Sequence, residues 1–354
     1  MVTRLIVADG SERAIAEAAR IIRTGGLVAF PTETVYGLGA DATNPVALAR
    51  IFSAKERPTT DPLIVHLATP DVLIELTREV PPVARRLAGA FWPGPLTLVL
   101  PRARSMPTLL ASGRNTIALR VPAHPLARSL IVAAGVPIAA PSANRFSRPS
   151  PTTAGHVLDD LSGRIDAVLD GGPTSVGVES TVIDCTGSVP RVLRPGAITL
   201  EQLRRVVGTV EFAPRYVADA TQALPAPGTL SRHYAPRAEL WLYRGPRDLV
   251  LARMRHDRAT WLAAGITVGG LVLSGDEAAF GAEPWPCEVL GGQRDPSAVA
   301  NRLFAALRAV DGRGVDRIIA RSVTGQGLWL AIEDRLVRAA DGRVVTLTAT
   351  AQPA

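Results

Sequence analysis

The sequence predicts two α/β domains, the first built on a mixed sheet and the second, smaller one on a parallel sheet. Three observations predict this. The chain has 354 residues, more than one hydrophobic core usually serves. Up to about residue 208, short apolar strands and amphipathic helices follow one another without clean alternation, as in a mixed sheet. From Glu239 onward strand and helix alternate three times, the pattern of a small parallel α/β unit. The expected organisation is a first domain over 1–208, a linker over 209–237 and a second domain over 238–354.

Residues 11–24 read as a helix, with Ser11 as cap and Ile15, Ala18, Ala19 and Ile22 on one face; Gly25-Gly26 ends it. Leu27–Phe30 is a short strand that runs into PTETVYGLGADA, a polar, glycine-rich turn. A helix follows near 45–54, then a buried strand at 62–68, a helix near 81–90, and strands at 97–100 and 116–122. Next come a helix near 124–134, a strand at 136–141, a loop at 142–152 and a helix at 153–161. AVLDGG leads to a hairpin-like pair, STVIDCTG and PRVLRPG, and a helix near 199–207 closes the domain. The segment 209–236 carries Pro214, Pro225, Pro227 and Pro236 and little periodicity, and is too long for an ordinary connection. The second domain reads as strand ELWLY, helix 248–263, strand GGLVL, helix 296–309, strand DRIIA and helix 327–340.

Composition narrows the function. With 47% hydrophobic and 20% charged residues the chain is ordinary globular protein. Cys185 and Cys287 have no metal-type spacing and read as buried thiols rather than a disulfide. No apolar run approaches the roughly 18 residues needed to span a bilayer, and Met1–Leu5 lack a signal-peptide layout. The expected location is the cytoplasm. The net charge of +7 suits an anionic partner, such as nucleotide phosphate or RNA, or simple solubility. With only 5% aromatics and no long basic block, a dedicated nucleic-acid platform is not indicated. One fact is sharper: among 38 arginines stands one lysine, Lys55. One reading is chance survival; the other is that the position needs a compact ammonium that a planar guanidinium does not replace, and Lys55-x-Arg57 would suit a polyphosphate.

Polar residues gather at the ends of apolar strands in the first domain, where α/β folds place ligands. Thr32, Thr34 and Tyr36 follow one strand; His66 and Arg120 interrupt two others. Ser142 and Asn144 follow VPIAAP, and Glu179-Ser180-Thr181 open a further strand. Singly, each has an ordinary reading: a satisfied core histidine, an arginine paired with a carboxylate, a Ser-x-Asn helix cap. Together with Lys55, Arg57 and Arg194 they favour a pocket for a polyanion and a small polar molecule. There is no G-x-x-x-x-G-K-[ST] phosphate loop, no H-E-x-x-H, no G-x-S-x-G and no Cys/His metal set.

At these residues the sequence resembles a known family. The stretches are FPTETVYGLGADA (30–42), KERPTTDPLIVH (55–66), FWPGPLTLVL (91–100), TIALRVPAHP (116–125), APSANRFSRPSPT (140–152), DGGPTSVGVESTVID (170–184) and VLRPGAI (192–198), with PAPGTLSRHYAP (225–236) in the linker. They are similar to the YrdC-like threonylcarbamoyl-AMP synthases in their long, two-domain form. The resemblance implies a YrdC-like domain with a twisted mixed sheet, plus a smaller Rossmann-like parallel α/β domain. It implies an enzyme, a nucleotidyltransferase that makes threonylcarbamoyl-AMP and pyrophosphate from L-threonine, bicarbonate and ATP with Mg²⁺, and no tightly bound protein metal site. A separate tRNA threonylcarbamoyl transferase complex would then use the product to modify tRNA. By motif position Thr34, His66, Arg120, the backbone of Ala140 and Ser180 would hold threonine. Arg57, Asp61, Thr116, Ser142, Asn144, Ser150 and Arg194 would hold ATP, with Lys55 and Arg57 at the reacting phosphates. His233 and Tyr234 would reach back over the nucleotide, making the linker a lid. Two positions depart from the pattern: Asp61 stands where Asn or Lys is usual, and Ser147 where Gly is usual. The alternatives are another carbamoyl-adenylating enzyme or an RNA-binding YrdC-like module. Relatives of the first kind carry zinc-finger or large transferase domains, and a threonine-side set is superfluous to the second.

Overall fold

The computed structural model describes residues 2–8, 12–214, 224, 230, 232–281 and 284–348. It divides into two compact units, Met1–Phe146 with Ser150–Ser231, and Ser147–Pro149 with Arg232–Ala354.

The first unit runs β1 (Arg4–Val7), α1 (Glu12–Arg23), β2 (Val28–Pro31), β3 (Tyr36–Asp41), α2 (Pro45–Lys55), β4 (Ile64–His66), α3 (Leu73–Leu76), α4 (Pro82–Phe91), β5 (Leu96–Pro101), β6 (Thr116–Arg120), α5 (Pro125–Ala134), β7 (Ile138–Ala139), α6 (Ala154–Leu161), β8 (Ala167–Asp170), β9 (Thr181–Asp184), β10 (Arg191–Arg194), α7 (Leu200–Val207) and β11 (Glu211–Phe212). All its strands join one mixed sheet in the order β1-β8-β2-β3-β7-β4-β6-β5-β9-β10-β11. Local signals set the helix ends. Asn44 caps α2 by accepting from the amides of Val46 and Ala47 ahead of Pro45, and Thr199 with Gln202 forms a capping box on α7. Ser11, the expected cap of α1, lies outside the described residues.

Alternation along the strands separates two faces. Val65, Leu98, Leu100, Ile117, Leu119 and Ile183 point into the main core with residues of α2, α4 and α7. On the opposite face α1 and α5 pack over Val28, Phe30, Ile138 and Ala140, towards the β1 side of the sheet. Towards β10 the same face carries a separate small apolar strip, Ile64, Val99, Ala118, Val182 and Leu193.

The second unit contains β12 (Glu239–Arg244), α8 (Arg247–Ala263), β13 (Val268–Val272), β14 (Cys287–Val289), α9 (Pro296–Gly312), β15 (Arg317–Arg321), α10 (Trp329–Ala340) and β16 (Val344–Thr346). Its five strands, ordered β14-β13-β15-β12-β16, are all parallel. Both cysteines are free thiols, and burial, helped by the Asp184 charge, pushes Cys185 up to about 12, so it stays protonated and inert.

Three readings of the sequence change here. The segment expected as a turn, PTETVYGLGADA, turns only at 32–35; Tyr36–Asp41 is a central strand antiparallel to β2. Its glycines are packing residues, since a Cβ on Gly39 would come within 2.7 Å of the Phe30 ring and 2.9 Å of Ile138. The linker is not without regular structure, because β11 pairs in parallel with β10. Leu224 is buried in the first unit with its amide on the Thr60 carbonyl. Residues 215–223, 225–229 and 231 of that segment lie outside the described residues. The third change concerns Ser142 and Asn144, which do not cap the next helix: α6 is capped by Thr153.

Ser147 takes the left-handed conformation, φ 66°, which accounts for a position where glycine fits the pattern. Within the second unit its carbonyl accepts from the Ala235 amide at 2.7 Å, and Arg148 pairs with Asp311 at 3.2 Å. Ser147→Val should therefore lower stability by about 1–2 kcal/mol while Ser147→Gly is tolerated, because a β-branched residue is the worst fit to positive φ. Equal melting temperatures for the two variants would remove the backbone explanation.

Candidate active site

Strand register assembles the site. β4 and β6 run parallel with Ile64 opposite Ala118 and His66 opposite Arg120. Thr116, Ala118 and Arg120 thus share the face of the small apolar strip, with Arg120 at one end and Thr116 at the other. Four residues along a strand is roughly 13 Å, a span that suits a nucleotide with a small molecule at its end.

Arg120 is 3% exposed and its guanidinium is held on three sides. Nε donates to the Gly94 carbonyl at 3.3 Å, Nη1 to Thr34 Oγ1 at 3.0 Å, and Nη2 lies 2.7 Å from Glu33 Oε1. Thr34 Oγ1 also lies 2.8 Å from Thr32 Oγ1. Burial pushes the Glu33 carboxyl up, but the Arg120 charge and hydrogen bond outweigh it and hold the group below its ordinary value. His66, beside Arg120 and edge-on to Phe30, is pushed down to about 3 by burial and then by the Arg120 charge, so it is neutral. His124 is likewise lowered by burial, against the opposing pull of Glu33.

Next to this end lies Ser180, whose Oγ is 2.8 Å from Thr97 Oγ1. Arg194 Nη2 donates to the Ser180 carbonyl at 2.9 Å. Gly196 makes that approach feasible, because a Cβ there would sit 2.3 Å from the Thr181 amide nitrogen. Ser150 Oγ donates to the Glu179 carboxylate. Ala140, at the end of β7, gives its amide to the Ile64 carbonyl at 2.8 Å.

Lys55 ends α2 and is 1% exposed. Its Nζ donates to the Ser142 and Asn144 carbonyls, both at 2.5 Å, and its own carbonyl accepts from Phe146. The lone lysine thus braces the loop that carries two of the expected ATP residues, and a point charge fits between two carbonyls where a guanidinium is too wide. Asp61 is fully buried and paired with Arg57 at 2.9 Å, while Arg57 Nη2 donates to the Pro62 carbonyl at 2.7 Å. In this chain Asp61 is therefore a holder of Arg57, which explains a carboxylate at a position where its charge alone does not suit phosphate.

His233 and Tyr234 belong to the second unit. Tyr234 is 1% exposed, with its ring 5.3 Å from Phe304 and under the guanidinium of Arg338 at 4.8 Å, and its φ of 62° is left-handed. The sequence-predicted residues of the first unit fall into groups, Arg120 with Thr34, Ser180 with Arg194, Arg57 with Asp61, and Lys55 with the loop of Ser142 and Asn144, with Thr116 at the far end of β6. Two polar residues escaped the sequence reading, Glu33 and Thr97, while Glu179 was read among the polar strand ends but given no role. The signal of the first two was an acidic residue between two threonines and a threonine within an apolar strand. A surface cavity between α1 and α5, lined by Ile15, Pro125 and Val132, shares no residue with this cluster.

Because His66 binds a proton more readily unfolded than folded, its contribution to stability is complete above its unfolded pKa of 6.5 and is lost as pH falls towards 3. Acidification to pH 4 should cost about 3 kcal/mol through this group alone, by linkage. His66→Gln should flatten the fall in melting temperature between pH 6.5 and 4; an unchanged slope would place the acid sensitivity elsewhere.

Both units of the chain resemble known proteins. A family model described as telomere recombination matches residues 20–196, and one described as the C-terminal domain of threonylcarbamoyl-AMP synthase matches residues 198–341. A threonylcarbamoyl-AMP synthase of Pyrococcus abyssi is 45% identical over 93% of this chain and 94% of its own length. That of Bacillus subtilis is 43% identical over 94% of each. The crystal structure of P. abyssi Sua5 complexed with L-threonine superposes with a TM-score of 0.90 at 43% identity, covering 98% of this chain and all of the other. With both of its units matched and a fold shared from end to end, the chain belongs to the threonylcarbamoyl-AMP synthase family.

Proposed function

We propose that the first unit binds L-threonine at the Arg120 end of the sheet face and ATP along it. It then joins them through bicarbonate into threonylcarbamoyl-AMP, releasing pyrophosphate and water. The observation that carries this reading is Arg120: a buried guanidinium, held by Thr34, Glu33 and Gly94 beside a neutral His66, at the end of an apolar strip. A planar fork in that setting suits a carboxylate. Thr34, neutral His66, Ser180 and the Ala140 backbone are the groups that suit the hydroxyl and amino ends.

A carbamate oxygen of the threonine derivative attacks the α-phosphorus; the new P–O bond forms as the bond to the β-phosphate oxygen breaks and pyrophosphate departs. No protein nucleophile is needed, so the residues act by orientation and charge. Arg57, Thr116, Ser142, Asn144, Ser150 and Arg194 are assigned to ATP, with Asp61 holding Arg57 and Lys55 holding the 142–146 loop. No three His, Cys, Asp or Glu side chains cluster as a metal cage among the described residues. Mg²⁺ would enter with the ATP phosphates, beside Arg57 and Arg194, and would supply neutralisation of the charge on the departing pyrophosphate. No helix among the described residues is long and apolar enough to cross a membrane. The product is a mixed anhydride, and the reaction that consumes it is acyl transfer to tRNA by a separate transferase.

Pyrophosphate release from ATP should require L-threonine and bicarbonate together. Equal turnover with glycine, or none with threonine, would reject the substrate assignment.

A further inference from the structure

We propose that Glu33 is a second recognition residue of the threonine pocket, which fixes the Arg120 guanidinium on one side and supplies the negative charge that meets the substrate's α-ammonium. The proposal rests on threonine binding at Arg120 and adds a residue to that reading.

Glu33 sits in the turn between β2 and β3, 7% exposed, between two threonines whose hydroxyls touch each other. Its backbone is anchored, with the carbonyl accepting from the Val176 amide at 2.8 Å, so the side chain has little freedom to withdraw. The carboxylate lies 2.7 Å from Arg120 Nη2. Its other basic neighbours, His66 and His124, are both shifted towards the neutral form by burial. Arg120 is thus the one full positive charge against it among the groups that perturb it.

Charge counting then discriminates between ligands. Arg120 and Glu33 cancel, so the resting pair is neutral. A ligand that brought only a carboxylate to Arg120 would leave two carboxylates on one buried guanidinium, a net negative site in a poorly solvated place. A zwitterionic amino acid leaves the total neutral and places an ammonium where a second carboxylate waits. Glu33 would therefore make the pocket read both charged ends of the amino acid. Carboxylation consumes the neutral amine, so the contact strengthens binding and not the chemical step.

The test is a cycle that removes the charge from the protein and the amino group from the ligand. Binding of L-threonine and of the matching enantiomer of 3-hydroxybutanoate to the full chain is measured by titration calorimetry in bicarbonate-free buffer. The native protein should prefer threonine by about tenfold or more, the scale of a charge-assisted contact. Glu33→Gln should reduce that preference to within about threefold, and Glu33→Asp should keep most of it. If Glu33→Gln weakens both ligands by the same factor, Glu33 only supports Arg120 and the proposal is overturned. Should the glutamine variant fail to fold, Glu33→Asp decides: a folded aspartate variant that binds the two ligands alike also overturns it. A native protein that binds no threonine removes the substrate reading, and this one with it.

Discussion

Arg120→Lys should leave a folded protein whose kcat/KM for threonine in pyrophosphate release falls by about a hundredfold or more, the loss of two charge-assisted hydrogen bonds. The guanidinium donates to Gly94 and Thr34 and pairs with Glu33 at once, which ties it to two separate segments of the chain. A lysine ammonium keeps the charge but not the fork, so it can answer Glu33 and no longer present two parallel donors to a carboxylate. The loss should appear for threonine and much less for ATP, because Arg120 stands at the opposite end of β6 from Thr116. Arg120→Ala is a poorer experiment: it strands a buried carboxylate and should cost about 3–5 kcal/mol of stability. A lysine variant with native threonine kinetics would move the carboxylate site away from Arg120.

Lys55→Arg should reduce kcat/KM for ATP by about tenfold or more and lower the melting temperature by several degrees, since two buried carbonyls lose a fitted partner. The two carbonyls lie on either side of Ala143, in the loop that carries Ser142 and Asn144, and α2 delivers Nζ to both. A guanidinium in that space must displace the loop, so activity and stability should fall together. Lys55→Met, of similar length and without charge, should behave in the same direction. Native ATP kinetics in Lys55→Arg would show that the single lysine of this chain is an accident of composition. A fall in activity at unchanged melting temperature would instead put the ammonium in direct contact with phosphate.

Most elements were legible in the sequence because their signals are local. Asn44-Pro45 starts α2, Gly135 ends α5, and Thr199 with Gln202 starts α7. The second sheet was legible as parallel because alternating strands and helices leave little other choice. β3 was not, because its glycines carry the signature of a turn while their actual task is to let Phe30 and Ile138 approach across the sheet. β11 escaped for a related reason: two residues beside a proline show no periodicity, and only the neighbouring β10 makes them a strand.

The sequence by itself determined that there are two α/β units, that polar residues sit at strand ends of the first, and that one lysine survives among arginines. It also carried enough ordered motifs to point to a family. It did not determine who holds whom. Arg120 meets Thr34 across 86 residues, Ser180 meets Thr97 across 83, and Lys55 meets Asn144 across 89. Periodicity assigns a side chain to a face, but its neighbours on that face follow from strand order and register, which are set by packing over the whole sheet. That is why Glu33, a polar residue in an expected turn, became the partner of Arg120. Asp61 serves Arg57 from only four residues away, but in a loop without periodicity, and His233 and Tyr234 pack within the second unit.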